Sequence, residues 1–159
     1  MDNQMCNGVF APVCSPEVCD VPKIPYYQDL MIGWGFVNRS CDDDSSGEVR
    51  FQIKIYRKLL DVFGRLRVED QYGNVLLVSE QLEAYHAATE EKMVAIFHYD
   101  DPNTESSREL TVYASTPTKK KEAKFYIYSA PLMDETICIG GTVKDGDIII
   151  KQSEVELEH

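Results

Sequence analysis

Histidine is scarce in this chain, and the motifs that concentrate chemistry are missing. The 159 residues include 3 histidines. One of them, His159, is the last residue, which leaves His86 and His98 for any metal-ligand or general-base role. There is no His-Glu-x-x-His pair, Gly-x-Ser-x-Gly elbow, phosphate-cradling glycine loop or dinucleotide fingerprint. Each of those motifs supplies a nucleophile, a metal or a phosphate cradle at fixed spacing, so the corresponding reactions have no local signature here. Catalysis would need groups that meet only in space, such as Cys138 with His98 and a nearby carboxylate, or a pair of the scattered carboxylates. His98 beside Asp100 and Asp101 reads more simply as a structural residue, and the protein is not expected to be an enzyme.

Positive charge is short as well. Lys+Arg number 16 against 27 Asp+Glu, a formal net charge of -11. Such a surface repels phosphate backbones and anionic headgroups, so a nucleic-acid partner is not expected. The local exception is Lys119-Lys120-Lys121 with Lys124, which reads as a solvated loop or a strand edge guarded against aggregation. No apolar run approaches the roughly 18 residues of a membrane span, so membrane insertion is not expected. Met1-Asp2-Asn3-Gln4-Met5 has neither the basic head nor the apolar core of a signal peptide. The reading therefore leans cytoplasmic, with a mature secreted fragment as the alternative. Leu157-Glu158-His159 resembles the start of a polyhistidine expression tag and is set aside.

Five cysteines, Cys6, Cys14, Cys19, Cys41 and Cys138, form an odd set. Without a signal peptide, an odd set favours reduced thiols. The alternative is that the first four form two bridges within an N-terminal arm while Cys138 stays a buried thiol. Cys14-x4-Cys19 is too widely spaced for a zinc knuckle and has no second ligand pair.

What the chain does have is period two. In Val49-Arg50-Phe51-Gln52-Ile53-Lys54-Ile55-Tyr56 every second side chain is apolar, the pattern of a half-buried strand. Leu66 and Val68 alternate with Arg65, Arg67 and Glu69, Asp70-Gln71-Tyr72-Gly73-Asn74 supplies turn chemistry, and Val75-Leu76-Leu77-Val78 resumes. That is a hairpin with Gly73 or Asn74 at positive φ. Residues 62–76 resemble the strand, Asp-x-x-Gly-Asn turn, strand unit of tubby and scramblase-like barrels. The likeness spans about 15 residues of generic hairpin pattern, and no apolar C-terminal helix of the kind those barrels enclose follows; no function is carried over.

Further strands are expected at 30–37, 93–99, 109–115, 123–130, 136–140 and 147–151. Residues 57–64 fit a helical turn or a strand extension equally. Residues 81–92, with Leu82, Tyr85 and Ala88 at helical spacing, are the best helix candidate. Trp34, flanked by Gly33 and Gly35, is expected to pack in the core. Four prolines interrupt residues 1–25, which read as an irregular arm. The expected architecture is all-β: residues 26–156 form one antiparallel sandwich or jelly-roll-like domain of about 8–10 strands with at most one short helix.

Two surfaces stand out for binding. With Leu110, Val112, Phe125 and Ile127 facing the core, Tyr113, Tyr126 and Tyr128 share the outer face with Lys124. Rigid amphipathic rings of this kind suit a protein or carbohydrate partner. The alternative is a calcium-dependent domain in which loops at Asp42-Asp43-Asp44 and Asp100-Asp101 supply oxygen ligands, although they lack EF-hand spacing. A third class is a self-associating structural subunit. Asn38-Arg39-Ser40 matches the N-glycosylation pattern, which matters only for a secreted protein.

Overall fold

The alternating stretch at 49–56 folds as its pattern dictates. Val49, Phe51, Ile53 and Ile55 are buried while Arg50 and Gln52 are exposed, because successive side chains of a strand point to opposite faces. This stretch is the centre of β2 (Asp43–Lys58), flanked in the chain by β1 (Tyr27–Ser40) and β3 (Asp61–Glu69). β4 (Val75–Ser79), β5 (Gln81–His86), β6 (Lys92–Asp101) and β7 (Ser106–Ser115) follow, then β8 (Lys124–Leu132), β9 (Glu135–Thr142) and β10 (Lys144–Ile150). The structure is a computed structural model that describes residues 27–103, 105–132 and 135–151. The arm over 1–25 with Cys6, Cys14 and Cys19, the tail at 157–159 and the side chain of Asp44 lie outside the described residues.

The strands form two five-stranded antiparallel sheets packed together, in the orders β10-β1-β2-β3-β4 and β5-β6-β7-β8-β9. Only Glu80 separates β4 from β5, and only Val143 separates β9 from β10, so the chain crosses between sheets at both lateral edges. At the first corner Ser79 Oγ donates to the His98 carbonyl at 2.6 Å. At the second, the Cys41 amide donates to the Cys138 carbonyl at 3.1 Å. Strands that switch sheets at bends are how packed sheets make corners, and here they turn each sheet's edge towards the other. Between the sheets Phe51 and Phe125 stack with centroids 3.9 Å apart and planes 6° from parallel. Burying such a side chain contributes about 1.5–3 kcal/mol.

Several expectations change. Residues 81–86 are strand β5, and the described residues contain no helix. A bulge between Leu82 and Ala84 breaks the ladder to β6, so Leu82, Tyr85 and Ala87 are buried together and their spacing imitates a helical stripe. Tyr85 Oη donates to the Leu30 carbonyl at 3.4 Å, and burial pushes its phenol pKa up to about 12. Of the two readings of residues 57–64 the strand extension holds: β2 runs to Lys58 and β3 starts at Asp61, joined by a tight turn with exposed Leu59 at φ 58°. Trp34 is 41% exposed on the outer face of the first sheet, while Gly33 faces Ile148 and Ile53 inside. Two consecutive positions of a strand cannot share a face, and the glycine took the inner one.

The cysteine expectations are also overturned for the two described members. Cys41 and Cys138 form a disulfide that ties the β1–β2 turn to β9, with Cα atoms 5.4 Å apart and a sequence separation of 97. Cys138 is therefore not a free core thiol, and Cys41 is not paired within the arm. The main-chain hydrogen bond between the same two residues places them together, a juxtaposition created by the corner. No helix among the described residues is long and apolar enough to cross a membrane.

Candidate functional site, a tyrosine and lysine groove on the second sheet

The outer face of the second sheet is a grid set by strand register. Val94 of β6 lies opposite Tyr113 of β7, Tyr113 opposite Tyr126 of β8, and Tyr126 opposite Gly140 of β9. One row over, Lys92, Ser115, Lys124 and Thr142 face one another in the same order. On the other side, Ile96, Thr111, Tyr128 and Cys138 form a third row. The inner positions of these strands, Leu110, Val112, Phe125 and Ile127, are fully buried. Their burial holds the tyrosines on the outside, with Tyr113 48% and Tyr128 43% exposed.

Tyr113, Tyr126 and Lys124, singled out in the sequence, thus line one shallow groove of about 270 Å³ together with Lys92 and Val94. Tyr128 belongs to the same face one row further on, next to the disulfide. Gly140 makes room for the Tyr126 ring. At its φ of 146° a Cβ would come within 2.3 Å of the Phe125 carbonyl oxygen and 2.9 Å of Tyr126 Cδ1. A side chain at that position would collide with both backbone and ring.

The groove opens at the Lys92–Lys124 end into a broader depression of about 1040 Å³ bordered by Lys119, Lys120 and Lys121. The loop carrying these lysines is ordered by Thr118. Its amide donates to the Lys121 carbonyl at 2.8 Å, and its hydroxyl accepts the Lys121 amide at 3.0 Å. Among the described residues none of these five lysines has a carboxylate within ion-pairing distance. Lys124 Nζ donates instead to the Thr142 hydroxyl.

The first sheet presents a second aromatic face that the sequence did not reveal. Trp34, Gln52, Arg67 and Val78 form one row, beside Ile32, Lys54 and Arg65, around a depression of about 570 Å³. Beyond Lys54 on this sheet, Tyr27, Tyr56 and Phe63 stack at 5.3 and 5.6 Å, with Lys54 Nζ 5.1 Å from the Tyr27 ring centroid. Its cations are engaged. Arg50 and Arg67 both bind Glu69 at 2.5 Å, Lys54 lies 3.7 Å from Asp29, and Arg65 3.5 Å from Glu80. The one available signal was Trp34 alternating with two glycines, which leaves the ring no large neighbour of its own strand face to face with the core.

The aspartates occupy themselves. Asp43 Oδ1 accepts the Ser45 amide at 2.9 Å and the Ser45 hydroxyl at 2.6 Å, which draws its carboxyl below the usual range. Buried Asp101 accepts the Asn103 amide at 2.9 Å. These are local caps of the kind aspartate forms in turns. Asp42 is exposed, its amide donating to Ser40 Oγ at 3.4 Å. Among the described residues no three His, Cys, Asp or Glu side chains are grouped to hold a metal ion.

Around His98 the order of groups decides what is chemically available. Asp100 Oδ1 accepts both the Ser107 hydroxyl at 2.7 Å and a contact from His98 Nε2 at 2.9 Å. Ser107, then His98, holds the Asp100 carboxyl below its usual range. The carboxylate stands between serine and imidazole, so the Ser107 hydroxyl is hydrogen-bonded to Asp100 and not to His98. Cys138, the nucleophile considered from the sequence, is consumed in the disulfide. Comparison of the chain with protein-family models, curated proteins and solved structures yields no match in any of the three.

Proposed function

We propose that this protein is a non-catalytic binding module that recognises a protein or carbohydrate partner through the outer face of its second sheet. The observation that carries the reading is the convergence of Tyr113, Tyr126, Lys92 and Lys124 on one open groove. Solvent-facing tyrosines supply flat contact area at small entropic cost, and lysines without ion-pair partners among the described residues remain available to a ligand. The carboxylates of Asp43 and Asp101 cap their own turns and that of Asp100 is held by Ser107 and His98, which favours the groove over the acidic loops as the binding site. The disulfide supports an oxidising compartment, where such bonds persist. A second reading, supported by the exposed Trp34 ring beside Arg67, places the contact on the first sheet.

The test is a panel of immobilised polysaccharides and peptides probed with three proteins. Tyr113→Ala with Tyr126→Ala is expected to weaken binding of any retained partner by about 30-fold or more, the scale of an aromatic anchor. Trp34→Ala is expected to leave it unchanged. The reverse result moves the site to the first sheet.

A further inference from the structure

We infer that the partner of the tyrosine groove is an acidic polysaccharide, a chain of uronic-acid sugars whose carboxylates pair with the lysine row. This rests on the binding reading above and names its ligand chemistry. Three observations converge on it.

The first is where the uncommitted positive charge lies. On a protein of net charge -11, the cations of the first sheet's outer face are held in ion pairs. Lys92, Lys119, Lys120, Lys121 and Lys124, in contrast, have no carboxylate partner among the described residues and gather at one end of the second sheet. The carboxylates bordering that depression are Glu91 and Glu122, two against five lysines. The net negative charge repels an anion at long range, so a cluster of lysines without carboxylate partners is where an anionic chain is favoured.

The second is the place of the tyrosines within the sheet. β7 and β8 are interior strands, bracketed by β6 and β9. Their main-chain groups are taken up in the ladders, so an extended peptide finds no edge on which to add a strand. Recognition here works through side chains alone. A sugar ring, with an apolar face for stacking and no main chain to satisfy, suits that surface better than a peptide.

The third is spacing. The backbones of Lys92 and Lys124 flank Ser115 across three neighbouring strands, about 10 Å apart at twice the interstrand distance. That is close to the length of a disaccharide, so carboxylates on alternate rings meet successive lysines while the rings between cross Ser115 beside Tyr113 and Tyr126 of the adjoining row. The continuation of the groove into the Lys119–Lys121 depression extends the same contact along a polymer.

The experiment is affinity electrophoresis and calorimetry in EDTA with polygalacturonate, its fully methyl-esterified form, and polyglutamate. Esterification removes the charge and keeps the sugar backbone. Binding of polygalacturonate that falls about tenfold in Lys92→Gln with Lys124→Gln, weakens in raised salt, and is lost in Tyr113→Ala supports the inference. Equal retention by the esterified polymer, lost only in Tyr113→Ala, overturns the acidic ligand while the binding face stands. Tighter binding to polyglutamate than to polygalacturonate makes the partner an acidic peptide and overturns the inference. Failure to bind any polymer on the polysaccharide and peptide panel overturns both the ligand and the face. The variants replace half-exposed or exposed residues, and unchanged thermal midpoints verify that they fold.

Discussion

Glu69 receives Arg67 and Arg50 at 2.5 Å each from a nearly buried position on β3. Those hydrogen bonds, Arg67 first and Arg50 second, hold its carboxyl below the usual carboxylate range. A depressed folded-state pKa means stability that is fully present above the unfolded value, about 4.3, and lost as pH falls through the folded one. Asp43, Asp70 and Asp100 are depressed in the same direction. The thermal midpoint is therefore expected to decline as pH drops below about 4, and Glu69→Gln is expected to lower the midpoint at neutral pH while flattening that acid decline. A melt series from pH 7 to pH 2 on both proteins checks it. At Gly140, where φ is 146° and a Cβ meets the Phe125 carbonyl, Gly140→Ala is expected to cost about 1–3 kcal/mol. Because the same change displaces the Tyr126 ring, denaturant titration and ligand affinity are expected to fall together.

The hairpin of β3 and β4 shows how far a single element is legible. Its turn is closed by Asp70, which accepts the Tyr72 and Asn74 amides at 2.8 and 2.9 Å, and Gly73 takes φ 85°. Asp, Gly and Asn were readable there because turn chemistry is local. Gly73→Ala is expected to destabilise by about 1–2 kcal/mol, the left-handed penalty for an L side chain, measured by urea unfolding. β5 was not legible, because the bulge at Leu82 and Ala84 replaces period two with a spacing that a helix also produces. Trp34 was misplaced for a related reason. In a run as apolar as 30–37 both faces look buried, and only the packing of Gly33 against Ile53 and Ile148 settles which side the ring takes. The tyrosine face was readable once Leu110, Val112, Phe125 and Ile127 were assigned inward. Its partner Lys92 was not, because register across β6, β7 and β8 is a property of the sheet.

At the scale of the whole molecule the described residues form a sandwich with two corners and a disulfide bond. The Cys41–Cys138 disulfide closes a loop of 97 positions, and removing a bridge of that kind costs about 2–5 kcal/mol. Cys41→Ser with Cys138→Ser, or reduction of the wild type, is expected to lower stability by that amount in urea unfolding. Tyr128 lies opposite Cys138 in the ladder, so the bridge also steadies one margin of the tyrosine face. The charge distribution acts at the same scale, since five lysines without a carboxylate partner among the described residues border one end of an acidic molecule, where the proposed anionic ligand would be favoured. The most direct measurement is amide chemical-shift mapping while short oligogalacturonates are titrated into the isotopically labelled protein. Perturbations confined to residues 92–94, 113–115, 124–126 and 140–142 are the predicted result. Perturbations at 32–34, 52–54 and 65–67, with the second sheet silent, would contradict the assignment of the tyrosine groove as the binding face.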